Sequence, residues 1–287
     1  MKFGKVILTS ILAFSASICS QANAESNSAE KKLIEANGIH LSVKEAGSGP
    51  DMILIHGKGY SKENMDRLFN HYKERFHVVS YDVRGHGESD KPKFFTLEDD
   101  AADLAALVKA MHLKKPVIIG FSMGSYITLK AAEEYPGLFS RIVLIGTKGG
   151  GKTSSTEQAE QEAAASGMSR EQAARQMVRR VFAPQVTFDE IRAFNEEIAS
   201  PVKLTAAEQD AITKSLQDFD LLESAPKVTI PALVLTGEYD GLNPPEEGKK
   251  VADALPNAKF EVIPDAGHIA FFENPERVFA LIDEFVK

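Results

Sequence analysis

Short apolar runs separated by polar segments of helical period dominate this chain. MILIHG, FHVVSYD, PVIIGFS, RIVLIG, ALVLTG and KFEVIP are each of strand length and lack strict apolar–polar alternation. Such runs suit parallel strands covered on both faces. Between them, NMDRLFNHYKERF, LEDDAADLAALVKAMHL and SYITLKAAEEYP repeat apolar residues three or four positions apart, the spacing of an amphipathic helix. The alternation predicts an α/β fold with a doubly wound, mostly parallel sheet. Ahead of it, LIEANGIHLSVKEAG reads as two short strands around Asn37-Gly38, a dipeptide suited to a two-residue hairpin turn.

One segment breaks the alternation. Residues 148–227 carry no strand pattern, only glycine, serine and threonine followed by helical stretches such as SREQAARQMVRRVF, TFDEIRAFNEEIAS and TAAEQDAITKSLQDF. Met177, Val178, Val181 and Phe182 form one apolar face there, and Phe188, Ile191, Phe194 and Ile198 another. These faces are expected to cover the C-terminal edge of the sheet, where open α/β sheets bind ligands. The layout expected is a core in two parts, 25–147 and 228–287, with a helical insertion at 148–227.

The N-terminus changes the picture of where the protein works. MKFGKVILTSILAFSASICSQANA joins two lysines, an apolar centre and Ala22-Asn23-Ala24, which reads as a secretory signal peptide cleaved after Ala24. The run is broken by serine and threonine and falls short of the roughly 20 residues a spanning helix needs. Export to the periplasm or beyond is therefore expected. The one cysteine, Cys19, leaves with the leader, which removes disulfides, thiol nucleophiles and cysteine metal sites from consideration. Loss of the leader's two lysines takes the formal charge from −8 to −10. An acidic chain without a basic patch is not expected to bind nucleic acid, and no other run is apolar enough for stable membrane insertion.

The chemistry is carried by Gly120-Phe121-Ser122-Met123-Gly124, set between the strand PVIIG and a helical segment. A sharp strand-to-helix turn leaves no room for side chains two residues either side of an exposed serine. The helix N-terminus also aims N–H groups and its positive end toward that serine. A serine hydroxyl needs a base, and the base an orienting carboxylate. His268 lies past KFEVIP in DAGHIAFFENP, and Asp240 past ALVLTG in EYDGLNPP, both on the edge expected for Ser122. Glu238 and Asp265 are competing carboxylates nearby.

The stretches ILIHG, YDVRGHGES, IGFSMGS, VLTGEYD and GHIAFFENP, in that order, resemble the α/β-hydrolase superfamily from about Leu33 to the C-terminus. The resemblance implies Ser122 as nucleophile, His268 as general base and then acid, Asp240 as the holder of the imidazole, and 148–227 as a lid. The family's alternative acid position has no carboxylate here between Gly146 and Thr156. Backbone N–H groups of Met123 and Lys58 are implied as the oxyanion hole, with Phe121 and Met123 as pocket walls. Lys58 departs from the apolar residue often found there, and its ammonium is expected to pair with an acidic substrate, turn to water, or do nothing. His56 is expected to shape its loop, and Asp82, Arg84, His86 and Ser89 to brace theirs. The implied activity is hydrolysis of a small or medium carboxylic ester or lactone, with no metal or organic cofactor. Haloperoxidase- or perhydrolase-like activity, carbon–carbon bond hydrolysis, and ligand binding without catalysis stay open as alternatives.

A different motif competes for attention. Gly146 through Gly151, Lys152 and Thr153 complete the pattern G-x-x-x-x-G-K-[ST], in which glycines cradle phosphates and the lysine and hydroxyl serve phosphate and Mg²⁺. A phosphate-binding ATPase also needs a downstream strand ending in a Mg²⁺-binding aspartate. The candidate, FALIDE, sits where Val278, Leu281, Ile282 and Phe285 have helical spacing. ATP is therefore not expected as a partner, and the glycines are read as a mobile entrance to the helical segment.

Overall fold

A computed structural model describes residues 29–287, so the expected leader at 1–24 lies outside the described residues. Strands β1 (Glu30–Ala36) and β2 (Ile39–Ala46) form the hairpin, turned by Asn37 and Gly38 at φ of 52° and 76°. Then come β3 (Asp51–Ile55), helix α1 (Asp66–Tyr72), β4 (His77–Tyr81), α2 (Leu97–Ala110), β5 (Val117–Phe121), α3 (Met123–Glu134) and β6 (Arg141–Ile145). The eight-stranded sheet has the order β1-β2-β4-β3-β5-β6-β9-β10, where β9 is Ala232–Gly237 and β10 is Ala258–Ile263. It is antiparallel through β1, β2 and β4 and parallel from β4 to β10.

The central strands are apolar at most positions because both sheet faces are covered. In β3, Ile53 and Ile55 face a core built with α2, α3 and α8 (Pro245–Ala254). Met52 and Leu54 face the other core, built with α1, α9 (Ala270–Glu273) and α10 (Pro275–Phe285). FALIDE lies wholly inside α10, a helix that opens with Pro275 behind the cap residue Asn274.

Residues 148–227 hold four α-helices, α4 (Ser155–Ala165), α5 (Arg170–Val181), α6 (Phe188–Glu197) and α7 (Ala206–Ser215). The last three start at capping boxes, Ser169 with Gln172, Thr187 with Glu190 and Thr205 with Glu208, so each start was written in S/T-x-x-E/Q spacing. Phe182, Ile191, Phe194 and Ile198 join the core around α1 and α9. Ala211, Ile212 and Leu216 join the other core. Phe188 does not follow the expected face and is 67% exposed, because it opens α6 before the helix reaches the core.

The expectation of no strand in this segment is corrected. Gly150–Gly151 (β7) pairs antiparallel with Phe219–Asp220 (β8), closing the two ends of the segment together. The Leu221 N–H donates to the Gly149 carbonyl at 2.7 Å beside this pair. Two glycines present no side-chain alternation, so the pairing had no sequence signal. Among the described residues no helix is long and apolar enough to cross a membrane.

Candidate active site

The turn between β5 and α3 holds Ser122 at φ 51° and ψ −117°, a conformation uncommon for a residue with a side chain. Packing imposes it. A Cβ on Gly120 would lie 2.3 Å from the Gly124 carbonyl oxygen, and one on Gly124 would lie 2.4 Å from that of Ile55. The Ser122 N–H is tied to the Ile145 carbonyl of β6 at 2.8 Å, and its own carbonyl accepts from the Ser125 hydroxyl at 2.6 Å.

The turns after β9 and β10 bring two more side chains to this point. His268 Nε2 is 3.0 Å from Ser122 Oγ, and His268 Nδ1 is 2.7 Å from Asp240 Oδ2. Both Asp240 and His268 are buried. The other Asp240 oxygen accepts the N–H groups of Leu242 and Asn243 at 3.0 and 2.8 Å. That leaves one oxygen for the imidazole and fixes Nδ1–H as its donor, so Nε2 is free to accept from the serine. Glu238 and Asp265, the competing carboxylates, are absent from this chain of contacts; Glu238 instead accepts the Asp265 N–H at 3.2 Å.

Four residues that sequence reasoning missed hold the group in place. Asn243 Nδ2 donates to the Tyr126 hydroxyl oxygen at 2.8 Å and to the Gly146 carbonyl at 2.6 Å. Ser155 Oγ donates to Asn243 Oδ1 at 2.5 Å. Glu273 Oε2 accepts the Gly267 N–H at 3.0 Å and the Ala183 N–H at 2.8 Å, joining the histidine loop to the residues after α5. Tyr126 lies one helical turn past Ser122 and Asn243 three residues past Asp240, so spacing from the motif was the available signal. The last turn of α5 contributes as well: the Arg180 and Val181 carbonyls accept the Gly241 N–H at 2.9 Å and the His268 N–H at 2.6 Å.

A cavity of about 230 Å³ opens over Ser122 and His268, lined by Phe121, Met123, Tyr126, Met177, Val181 and Leu242 among others. A larger cavity of about 890 Å³ touches neither Ser122 nor His268 and is lined mostly by polar residues of the helical segment. Of these two, the smaller is therefore the cavity that reaches Ser122 and His268. Lys58 lines both. Its ammonium donates to Ser154 Oγ at 3.0 Å and to Thr156 Oγ1 at 3.4 Å, and burial pulls its pKa below the usual lysine value. Of the directions expected for this side chain, it takes the one toward the hydroxyls of Ser154 and Thr156.

His56 is buried with both ring nitrogens engaged, Nδ1–H on the Gly57 carbonyl at 2.8 Å and Nε2 accepting the Val83 N–H at 3.0 Å. Asp82 accepts from the Lys62 N–H and ammonium and from the Glu88 N–H at 2.7–2.8 Å, Ser89 Oγ donates to the Asp82 carbonyl at 2.6 Å, and Arg84 pairs with Asp103 at 2.6 Å. His86 Nδ1–H donates to the Arg84 carbonyl at 3.0 Å.

The glycine–lysine stretch has a geometry of its own. Gly146, at φ 60°, packs so closely on the site that a Cβ there would lie 3.1 Å from the His268 ring and 3.4 Å from Asp240. Gly150 and Gly151 are extended in β7, and Lys152 is exposed and paired with Asp218 at 3.0 Å. Among the described residues no group of three or more His, Cys, Asp or Glu side chains is arranged to hold a metal ion.

The sequence profile of the alpha/beta hydrolase family matches residues 52–281. BpoC of Mycobacterium tuberculosis, which carries a non-heme bromoperoxidase name, is 29% identical over 252 residues, 84% of this chain and 95% of its own. The 2-(acetamidomethylene)succinate hydrolase of Mesorhizobium japonicum is 28% identical over 268 residues, 88% of this chain and 94% of its own. Among solved structures, a thermophilic esterase from Thermogutta terrifontis superposes with a TM-score of 0.74 at 28% identity, covering 90% of this chain and 98% of its own. With that match across most of the chain and this strand order, the protein belongs to the α/β-hydrolase family of enzymes.

Proposed function

We propose that this enzyme is a serine hydrolase that cleaves a small or medium carboxylic ester or lactone through an acyl-enzyme. The observation that carries the reading is the unbroken hydrogen-bonded chain from Ser122 through His268 to Asp240 at the floor of the smaller cavity. Ser122 Oγ attacks the carbonyl carbon while His268 Nε2 takes its proton. The imidazolium, held by Asp240, then returns that proton to the leaving alcohol. Water, deprotonated by the same nitrogen, adds to the acyl-enzyme, and collapse releases the acid and the free serine.

The Met123 N–H, among the first-turn amides that a helix leaves without an intrahelical partner, and the Lys58 N–H are the donors we assign to the oxyanion. Phe121 and Met123 wall the acyl side, and residues 148–227 cover it as a lid. The cavity of about 230 Å³ supports a small or medium acyl group. The Gly146–Thr153 stretch is read as a connector and not a nucleotide loop, because Lys152 faces Asp218 and Gly146 makes room for His268. The reading of residues 1–24 as a leader supports activity in the periplasm or outside the cell, and the acidic charge supports small-molecule substrates without nucleic acid.

Relatives named as a bromoperoxidase and as a 2-(acetamidomethylene)succinate hydrolase make the choice of acceptor a direct question. A panel of p-nitrophenyl esters, run beside a carboxylic acid plus peroxide halogenation assay, answers it. Ester turnover exceeding halogenation is expected. Halogenation without ester turnover would move the assignment to perhydrolysis, in which peroxide replaces water as the acceptor.

A further inference from the structure

We propose that the Lys58 ammonium is an anion-recognition site of the reaction chamber, so that the preferred substrate is an ester carrying a carboxylate. The inference rests on the serine-hydrolase reading and specifies its substrate class. Its first support is position. Lys58, Gly59, Thr156 and Glu160 line both the small cavity over Ser122 and the larger polar one, so the ammonium stands where they meet.

The second support is what surrounds the charge. Two of the three buried lysines among the described residues are neutralised in place: Lys62 by Asp82 and Glu88 at 2.8 Å each, and Lys44 by Asp66. Lys148, which lines neither cavity, donates to the Thr153 carbonyl at 3.0 Å. Lys58 instead holds two neutral hydroxyls, Ser154 and Thr156. Glu157 and Glu160 act on it from beyond ion-pair distance and favour its charged form against the opposite pull of burial. A partly desolvated ammonium with no carboxylate in contact gains a charge-assisted bond when a ligand supplies one.

The third support is contrast. The chain as a whole is acidic, with a formal charge of −8, so its surface does not gather anions in general. Ser154, which touches the ammonium, is also the N-cap of α4, so the positive end of an eleven-residue helix faces the same junction.

The test is a ratio of substrates, in which any effect of a variant on the oxyanion hole cancels. On the acyl side, kcat/KM for p-nitrophenyl hemiglutarate is divided by that for p-nitrophenyl valerate after subtraction of enzyme-free rates. On the alcohol side, carboxymethyl butyrate is compared with propyl butyrate by pH-stat, which locates the carboxylate relative to the scissile bond. In at least one arm the anionic ester is expected to lead by about tenfold or more, and Lys58→Met to abolish that lead. Neutral esters preferred in both arms, or a lead that survives in K58M, overturns the proposal. Titration of glutarate into the Ser122→Ala protein reads the same site without turnover: affinity reduced about tenfold by adding K58M supports it, and equal affinity overturns it. Failure of the serine-hydrolase reading looks different, as no ester of either charge would be turned over and no fluorophosphonate adduct would form on Ser122.

Discussion

Ser122 occupies a backbone region that costs a residue of its kind on the order of 1–3 kcal/mol, and that cost is borne because the turn has no room to relax. Gly124→Ala places a methyl 2.4 Å from a β3 carbonyl, so the variant is expected to lose soluble, folded protein, read by circular dichroism and Tm. Asp240→Asn keeps the volume, but its amide oxygen stays on the Leu242 and Asn243 N–H groups and its NH2 faces His268 Nδ1, which then accepts and leaves the proton on Nε2, the wrong tautomer. Its kcat is expected to fall roughly 10⁴-fold with little change in Tm, measured by ester kinetics and thermal melts. An unchanged kcat would remove Asp240 from the relay. These positions were legible because glycines, a serine, an acid and a histidine recur at fixed places relative to apolar runs. Tyr126 and Asn243 were not, since an amide bridging a phenol and the Gly146 carbonyl depends on two distant turns meeting.

At the scale of elements, the parallel strands and their helices were readable because burial on both faces writes continuous apolar runs. The anchoring of 148–227 was readable only in part, through apolar positions such as Ile191, Phe194 and Ile198 that join the core. The rest depends on main-chain groups, the α5 terminal carbonyls and the β7–β8 pair, whose hydrogen bonds carry no residue code. Glu273 is the side chain that completes this anchoring, with its carboxylate on the N–H groups of Gly267 and Ala183. Glu273→Ala leaves two donors without their acceptor and is expected to cost about 1–3 kcal/mol of stability. Because one of those donors adjoins His268, kcat should fall along with Tm. A drop in Tm with kcat intact would confine Glu273 to a purely structural role.

For the whole molecule, the buried imidazoles set a direction for acid sensitivity. Burial lowers the pKa of His56 and pushes that of His86 down to about 3 from an ordinary 6.5. Both are held neutral in the fold, while the unfolded chain takes up protons as pH drops below about 6.5. Stability is therefore full above that pH and, for His86, declines toward pH 3 with a slope of up to about 1.4 kcal/mol per pH unit, while His56 adds to the fall in the same direction. Thermal melts between about pH 7.5 and pH 5 should show Tm falling with acid, and His86→Asn should flatten the fall. A Tm independent of pH in that window would mean that the His56–His86 pair does not govern it.

The most direct measurement is intact-mass detection of a fluorophosphonate adduct on the protein and on Ser122→Ala, with p-nitrophenyl butyrate turnover recorded on the same samples. One stoichiometric adduct, mapped to Ser122 and abolished with turnover in the variant, is the predicted result. Turnover that persists in Ser122→Ala, or a folded protein that takes neither label nor ester, would contradict the assignment of Ser122 as the nucleophile.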